Sequence, residues 1–254
     1  MDHPTLALVV PCHNEARRLS PQAFLAFVSS HPSVRCLFVD DGSRDATYEI
    51  LARLQQAAPA SITVIRLPSN RGKAEAVRTG ILEGIRREVD LVGFWDADLP
   101  TPLAVVDDFL ALATARPRME VILGSRVNLL GRDIRRRPWR HYLGRLFATA
   151  VSLSLDIPVY DTQCGAKVFR STPAIAAVFA APFGSRWIFD VEILARYLAQ
   201  PVAAGDPPRR SRIYELVVPA WHEVPGSRLR WFHYFRAIAD LFRIWRAGRR
   251  RPGS

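Results

Sequence analysis

Cysteine is scarce in this sequence, and long hydrophobic runs are absent from it. The three cysteines, Cys12, Cys36 and Cys164, form neither a CxxC pair nor a zinc-binding spacing, so we expect all three to be reduced. No apolar run approaches the roughly 18 residues that a membrane-spanning helix needs. The N-terminus also has no basic leader segment. These absences predict a cytoplasmic protein that has neither a disulfide framework nor a transmembrane helix.

Positive charge, by contrast, is abundant. The 254 residues carry a formal net charge of +11 at pH 7, and arginines crowd into residues 132–145, 209–212 and 228–251. This charge indicates an anionic partner, but it leaves open whether the partner is nucleic acid, phospholipid headgroups or a phosphorylated substrate. The length is sufficient for one large α/β domain with its own core.

Apolar runs in the first half alternate with segments of helical periodicity. The runs are 6–11, 34–41, 62–67, 91–96 and 121–124, and the helical segments are 22–30, 45–57, 73–88 and 103–115. The apolarity of the runs is continuous, which is typical of strands covered on both faces. This order predicts an α/β fold with a doubly wound, mostly parallel sheet flanked by helices. Such sheets bind ligands beyond the carboxyl ends of their strands.

Asp96 and Asp98 lie at the carboxyl end of the most hydrophobic run. A single alanine separates them, so both carboxylates can turn toward one point as the chain leaves the sheet. Two hard oxygen ligands suit Mg²⁺ or Mn²⁺ shared with a diphosphate. We therefore predict a divalent-metal site here, with two solvated loop aspartates as the alternative.

The loops after the first two strands offer polar groups for a nucleoside pocket. Asp40 and Asp41 end the second strand, and Ser43 follows a glycine that permits a tight turn. Helix capping is enough to explain Ser43. Two adjacent carboxylates, however, need donors such as the N–H of a base or the hydroxyls of a ribose. The predicted pocket comprises Pro11, His13, Asn14, Glu15, Asp40, Asp41 and Ser43.

The segment Asn70-Arg71-Gly72-Lys73 lies at a loop-to-helix junction. Free backbone N–H groups and cationic side chains at such a junction suit a phosphate or a ribose. A helix start with surface charges explains the same residues equally well. Asn70, Gly72 and Lys73, together with Asp96, are therefore further candidates for the same nucleotide-binding site.

Arginines and aromatic residues occur together in the second half. Arg126 follows a strand, and Arg137 and Arg140 belong to a basic run beside a helical stripe. The stripe consists of Trp139, Tyr142, Leu143, Leu146, Phe147 and Ala150. Arginine suits bidentate phosphate recognition, and basic amphipathic helices commonly lie in membrane interfaces. Residues 227–254 repeat the pairing, and packing of both faces on the domain is the alternative.

These motifs together resemble the family 2 glycosyltransferases of the GT-A fold, and among them the dolichyl-phosphate β-glucosyltransferases and other polyprenyl-phosphate glycosyltransferases. The general marks are residues 11–15, 40–45 and 96–98. The more specific marks are 70–73 with 76–78, 161–165 with Lys167, 186–192 and 221–228. The similarity extends over nearly the whole chain. It implies a GT-A domain at 1–226, with a nucleotide-sugar half at 1–125 and an acceptor half at 126–226. A basic amphipathic helix and tail would follow at 227–254.

The resemblance also implies a reaction and a set of residues. A hexose, glucose from UDP-glucose, would be transferred with inversion to a polyprenyl phosphate at the cytoplasmic, inner face of a membrane. The residues implied for catalysis are Asp98, Arg126, Gln163 and Lys167, and those for the acceptor phosphate are Arg126, Arg137, Arg140 and Lys167. A phosphate monoester is already mostly ionised at neutral pH, so no strong general base is expected.

Two other functions remain open at this point. The same donor site could serve a soluble phosphorylated or hydroxylic acceptor, in which case the aromatic faces belong to the core. A catalytically silent nucleic-acid-binding or scaffold protein would also use the positive charge, but it gives no reason for carboxylates at successive strand ends. We therefore expect a peripheral membrane enzyme without a nucleic-acid partner.

Overall fold

The computed structural model describes residues 4–135, 138–186, 188–224, 240 and 243. The strands are β1 (Leu6–Cys12), β2 (Val34–Asp40), β3 (Ile62–Arg66), β4 (Leu91–Trp95), β5 (Val121–Ser125), β6 (Asp133–Arg135), β7 (Ala166–Arg170), β8 (Ile213–Val217) and β9 (Ala220–His222). The helices are α1 (Pro21–Ser30), α2 (Thr47–Ala57), α3 (Lys73–Arg86), α4 (Val106–Ala115), α5 (Pro138–Leu155), α6 (Pro173–Ala180) and α7 (Phe189–Leu198). Two 3₁₀ turns lie at Leu103–Val105 and Arg209–Arg212.

Seven strands form the main sheet, in the order β3-β2-β1-β4-β7-β5-β8. Every pair in this sheet is parallel except those of β7, which runs antiparallel to both β4 and β5. The prediction of a mostly parallel sheet flanked by helices is confirmed. β7 comes from the predicted acceptor half yet lies between two strands of the donor half, so the two halves share one sheet. Strands β6 and β9 form a separate parallel pair.

Two glycines let α3 pack closely on the sheet. β1 and β4 are buried along their length apart from half-buried Pro11, and α3 packs on them through glycines. A β-carbon on Gly80 would lie 2.3 Å from Cγ1 of Val9, and one on Gly84 would lie 2.9 Å from the β-carbon of Ala7. This close approach holds α3 against the sheet. It brings the first residue of the helix, Lys73, to the edge where the parallel strands end.

The predicted amphipathic stripe on α5 divides in the structure. Phe147 and Ala150 pack against a small cluster formed by Val151, Ile188 and Val191. Leu146 and Leu153, in contrast, are exposed by 70% and 81%. Part of α5 is therefore core and part of it faces outward. The side chains of the stripe residues Trp139, Tyr142 and Leu143 lie outside the described residues.

The C-terminal part of the chain contains the predicted amphipathic helix and, before it, a loop held by ion pairs. The predicted helix at 227–254 lies outside the described residues except for Asp240, which accepts a hydrogen bond from Ser185 Oγ at 2.7 Å, and Arg243. Residues 200–212 are rich in proline, alanine, glycine and arginine, a composition that predicts a flexible loop. In the structure, however, the 3₁₀ turn of this segment is attached to buried Glu120 through Arg209 and Arg212. Within the described ranges, no helix combines the length and apolarity required to cross a bilayer.

Candidate active site

The carboxyl ends of β1, β2 and β3 border a pocket of about 730 Å³. This volume is in the range of small-molecule sites in proteins. His13, Asn14, Ser43 and Asn70, four of the residues predicted to bind a nucleotide-sugar, lie together in its wall. The complete lining is His13, Asn14, Gly42, Ser43, Arg44, Arg66, Leu67, Pro68, Ser69 and Asn70.

Asp40 is fully buried at the end of β2. The backbone N–H of Ser43 donates to its Oδ1 at 3.1 Å, and Nε of Arg66 lies 3.5 Å from its Oδ2. Among the described residues, none donates a hydrogen bond to that Oδ2. Because a buried carboxylate oxygen without a donor is costly, Asp40 keeps acceptor capacity beside a guanidinium that lines the pocket.

Asp41 organises the neighbouring loop. Its two carboxylate oxygens accept the backbone N–H groups of Arg71 and Gly72 at 2.7 and 2.8 Å. Gly42 is tightly enclosed, because a β-carbon there would lie 2.6 Å from the carbonyl carbon of Ser69, and its φ of +62° is left-handed. The protein therefore supplies donors that the sequence argument assigned to a nucleoside. Asp41 shapes the pocket by fixing the segment 70–73.

The exit of β1 is bonded to the exit of β2. Nδ1 of His13 lies 2.9 Å from the carbonyl oxygen of Asp41, so this nitrogen carries a proton and donates it. Asn14, at a left-handed φ of 52°, donates its N–H to Ser43 Oγ at 3.0 Å. Its amide oxygen accepts from the N–H of Arg44 at 2.8 Å. His13 and Asn14 are thus held in position, and neither is arranged for proton transfer.

Asp96 and Asp98 leave β4 toward the same edge, as the sequence predicted. Oδ1 of Asp96 accepts from Nζ of Lys73 at 2.5 Å, and Oδ2 of Asp98 lies 3.3 Å from Nη1 of Arg18. Arg18 also forms an ion pair with Glu15. Each predicted metal ligand is therefore paired with a cation. Both carboxylates remain partly exposed, at 26% and 21% of their side-chain surface.

The donor set at this edge fits a divalent cation shared with a ligand. Burial raises the pKa of Asp98, the neighbouring charge of Asp96 raises it further, and Arg18 opposes both effects. Carboxylates that repel each other in this way gain from a dication. Within the part of the chain that the structure describes, no three His, Cys, Asp or Glu side chains are grouped to hold a metal ion. A metal at Asp96 and Asp98 would thus take its other ligands from bound phosphates and water.

Arg126 is almost buried and forms a bidentate ion pair with Asp161. Its Nε and Nη2 lie 2.5 and 2.8 Å from the two carboxylate oxygens, and its guanidinium lies 5.1 Å from the ring centre of Trp221. Burial alone would lower the pKa of Arg126, but the charge of Asp161 and its hydrogen bonds outweigh that effect and raise the pKa. Glu215 holds the backbone at Asp161 in place, because its carboxylate accepts the N–H groups of Tyr160 and Asp161 at 2.9 and 2.6 Å.

Lys167 lies inside the sheet. Its Nζ has no exposed surface and donates to Cys164 O at 2.6 Å and to Oδ1 of Asp190 at 2.5 Å. Direct contact with an acceptor phosphate would therefore require this buried pair to open. Gln163 is held by its backbone N–H, which donates to Asp161 Oδ1 at 2.9 Å, while its buried Nε2 has no hydrogen-bond acceptor among the described residues. Gln163 thus keeps a donor next to the Arg126–Asp161 pair.

The remaining predicted residues divide into two groups. Glu15 and Gly72 lie at the same edge as Lys73, and half-buried Pro11 belongs to β1. Arg137 lies outside the described residues, and so does the side chain of Arg140. The sequence reasoning missed Arg18 and Glu215, because an arginine within a short turn and a glutamate on a late strand carry no local motif. A carboxylate in an otherwise apolar strand was the available signal for Glu215.

Comparison with known proteins supplies a family and a fold. The profile of "Glycosyl transferase family 2" matches residues 7–175. The chain is 33% identical to dolichyl-phosphate beta-glucosyltransferase of Drosophila melanogaster, over 96% of this chain and 76% of that protein. It is 34% identical to the Mus musculus protein of the same name, over 90% and 71%.

A solved structure has the same fold. Glucosyl-3-phosphoglycerate synthase from Mycobacterium tuberculosis, bound to UDP, superposes with a TM-score of 0.64 at 18% identity, covering 95% of this chain and 80% of that one. A second structure of the same synthase contains Mn²⁺, UDP-glucose and phosphoglyceric acid. It superposes with a TM-score of 0.60 at 17% identity, covering 99% of this chain and 82% of that one.

Proposed function

This chain belongs to glycosyl transferase family 2, and we propose that it is an inverting enzyme that transfers glucose from UDP-glucose to a polyprenyl phosphate on the cytoplasmic face of a membrane. The observation that carries the proposal is the junction of two sites at one sheet edge. Asp96 and Asp98 directly follow β4. Arg126, which is paired with Asp161, directly follows β5, and only β7 separates these two strands in the sheet.

The donor half of the proposal rests on the pocket at β1 to β3. Asp40 and its Arg66 neighbour offer an acceptor and a cation for a base or ribose. Asn70 lies in the same pocket wall, and Lys73 begins α3 directly after Gly72, at a helix start of the kind that favours phosphate. UDP is the ligand bound in the solved structure of similar fold, and this supports a uridine donor.

A divalent metal, Mg²⁺ or Mn²⁺, would be held by Asp96 and Asp98. Bound there, it would neutralise charge on the departing diphosphate. Gly165 and the Lys73 and Arg18 pairs orient the two carboxylates. The Mn²⁺ in the synthase structure supports this assignment.

The acceptor step needs little proton chemistry. A phosphate oxygen of the acceptor forms a bond to the anomeric carbon while the bond from that carbon to the β-phosphate oxygen of UDP breaks, and the electron pair leaves with UDP. We assign Arg126 and the Nε2 donor of Gln163 to the acceptor phosphate. We also assign to it Arg137 and Arg140, which follow Arg126 in the basic run of the sequence. We assign Lys167 to supporting this region through Asp190, since its ammonium is buried.

A membrane surface is the acceptor's environment in this proposal. The β5–β6 loop, which directly follows Arg126, carries Leu129 and Leu130 with exposures of 51% and 105%. Arginines surround this loop in sequence, at 126, 132, 135, 136, 137 and 140. Exposed apolar side chains among cations match an anionic lipid surface. The exposed Leu146 and Leu153 of α5 add apolar surface of the same kind.

The test is a transfer assay with separated acceptors. Purified protein is incubated with Mg²⁺ or Mn²⁺, liposomes containing polyprenyl phosphate, and a panel of labelled UDP-glucose, UDP-N-acetylglucosamine and GDP-mannose. We expect only the UDP-glucose label to become lipid-soluble. Transfer from GDP-mannose would overturn the sugar assignment. A parallel incubation offers phosphoglyceric acid as the acceptor in place of the liposomes. Transfer to phosphoglyceric acid, with none to lipid, would overturn the acceptor assignment in favour of a soluble phosphorylated acceptor.

A further inference from the structure

Lysine is almost absent from this chain. Of the 35 lysine and arginine residues only two, Lys73 and Lys167, are lysines. Both lie beside the ring of Phe94, with Nζ atoms 5.8 and 5.1 Å from its centre. Each is paired with an aspartate at 2.5 Å, Lys73 with Asp96 and Lys167 with Asp190. The sequence uses arginine elsewhere but an ammonium at both of these positions.

The two pairs differ in their access to solvent. Lys167 has no exposed surface, whereas Lys73 exposes 40% of its side chain and Asp96 exposes 26%. The backbone before Lys73 is fixed, since Asp41 accepts the N–H groups of Arg71 and Gly72. The four-carbon stem of Lys73 carries no such restraint. Its ammonium can therefore leave Asp96 without disturbing the fold.

An ammonium suits this position for a chemical reason. It is a compact, strongly hydrated point charge, whereas a guanidinium is a planar fork that binds a carboxylate through two bonds. A single ammonium on one oxygen of Asp96 is the closest side-chain equivalent of a metal ion. It also lies on one of the two carboxylates that would bind that metal.

We infer that Lys73 is a displaceable counter-cation, which neutralises Asp96 while the donor is absent. When the divalent metal binds Asp96, the ammonium of Lys73 leaves this carboxylate and forms an ion pair with the diphosphate of the donor. This inference rests on the proposed donor and metal site. Metal and nucleotide then bind cooperatively, because the diphosphate gives the displaced ammonium a new partner. Without nucleotide, lysine and metal compete for the same carboxylate.

The first test measures Mn²⁺ binding by electron paramagnetic resonance, with and without UDP. Lys73→Met should bind Mn²⁺ about tenfold more tightly than the natural protein when UDP is absent. The increase in Mn²⁺ affinity on adding UDP should be about tenfold smaller in this variant. Both changes follow from removing one competitor and one diphosphate partner.

The control is Arg210→Met, which removes one positive charge from an exposed 3₁₀ turn, where the arginine lies 3.5 Å from solvent-facing Asp156. It should leave both Mn²⁺ affinities unchanged. Thermal unfolding checks that all variants are folded. Equal or weaker Mn²⁺ binding by Lys73→Met without UDP, including undetectable binding by both proteins, overturns the inference.

The second test follows Lys73 directly. Acetylation by an amine-reactive ester is quantified at each lysine by peptide mass spectrometry, with buried Lys167 as the internal reference. Mg²⁺ alone should accelerate the reaction at Lys73 severalfold, and Mg²⁺ with UDP should slow it again. Rates that do not respond to Mg²⁺ overturn the inference. A natural protein that binds no UDP would instead refute the proposed function, so the two failures are distinguishable.

Discussion

Gly165 lies directly against the carboxylate of Asp96. Its carbonyl oxygen accepts the backbone N–H of Asp96 at 3.1 Å, and a β-carbon at position 165 would lie only 1.8 Å from Oδ2 of Asp96. The carboxylate therefore occupies the volume that a side chain on residue 165 would fill. The segment before β7 thus forms one wall of the predicted metal site.

Replacing Gly165 tests this wall. In Gly165→Ala the new methyl group must displace the Asp96 carboxylate from its position, and a misplacement of about 1 Å costs about 100-fold in kcat. The melting temperature should change little, because the displaced group is partly exposed. Gly184→Ala is the control, since a β-carbon there meets nothing closer than 3.8 Å. Activity of Gly165→Ala within twofold of the control would contradict the proposed geometry.

Asp98→Asn tests the second carboxylate. The change removes a proposed metal ligand but keeps the shape of the side chain, so we expect kcat to fall about 100-fold or more and Mn²⁺ affinity in the presence of UDP to fall with it. Asp108→Asn, an exposed change in the first turn of α4, is the matched control. Full transfer activity of purified Asp98→Asn with Mg²⁺ or Mn²⁺ would show that Asp98 is not a metal ligand.

The Lys167–Asp190 pair should behave as a structural unit. Lys167→Met leaves the carboxylate of Asp190 buried without its cation, which costs about 3–5 kcal/mol of unfolding free energy. Combining it with Asp190→Leu should recover most of that loss, because an apolar pair of similar volume needs no solvation. Urea denaturation measures both values. Additive losses would mean that the two side chains do not act as a pair, and an inactive but stable double variant would restore the acceptor role implied by the family resemblance.

Glu215 makes stability depend on pH. Its removal from water raises the pKa of this carboxyl above the ordinary glutamate value, while the N–H of Tyr160 opposes the rise. The folded protein then keeps this proton to a higher pH than the unfolded chain does. The contribution of Glu215 to stability is therefore largest below the ordinary pKa and is lost as pH rises through the raised one. In Glu215→Gln, the unfolding free energy should decline less between about pH 4 and pH 7. Parallel curves for the two proteins in urea denaturation would contradict this cause.

The β5–β6 loop should control membrane binding. Replacing Leu129 and Leu130 with serine removes exposed apolar surface next to the arginine run, so flotation with anionic liposomes should fall severalfold. Transfer to a water-soluble short-chain prenyl phosphate should stay unchanged. Val202→Ser, at a partly exposed position in another loop, is the control. Flotation that does not change would show that this loop does not enter the lipid surface.

Sequence patterns predicted the first half of the sheet well. The strands there are continuous apolar runs, and the predicted boundaries differ from the observed ones by a residue or so, as for β2, which ends at Asp40 rather than at residue 41. The gathering of His13, Asn14, Ser43 and Asn70 followed from one rule, that parallel strands end at one edge. Local composition was sufficient because β1, β4 and β5 are buried along nearly their whole length, and β2 at all but one residue.

The second half was harder because its stability comes from distant pairs. β7 contains Lys167 and Arg170, which look like surface residues until Asp190 and the carbonyl groups of residues 113 and 119 are placed against them. The two donors to Asp41 likewise come from another loop. No local pattern indicates a partner that lies twenty or more residues away.

The antiparallel insertion of β7 also has a consequence for how the molecule folds. β4, Asp96 and Asp98 are synthesised early, but the neighbour of β4 in the sheet, β7, is synthesised much later. The two strands pair Trp95 with Ala166 and Leu91 with Arg170. Contacts of such large sequence separation form slowly. Until Gly165 and β7 have been synthesised, the sheet lacks the strand between β4 and β5, and Asp96 lacks the wall that Gly165 provides. Completion of the core and completion of the proposed metal site therefore depend on the same late strand.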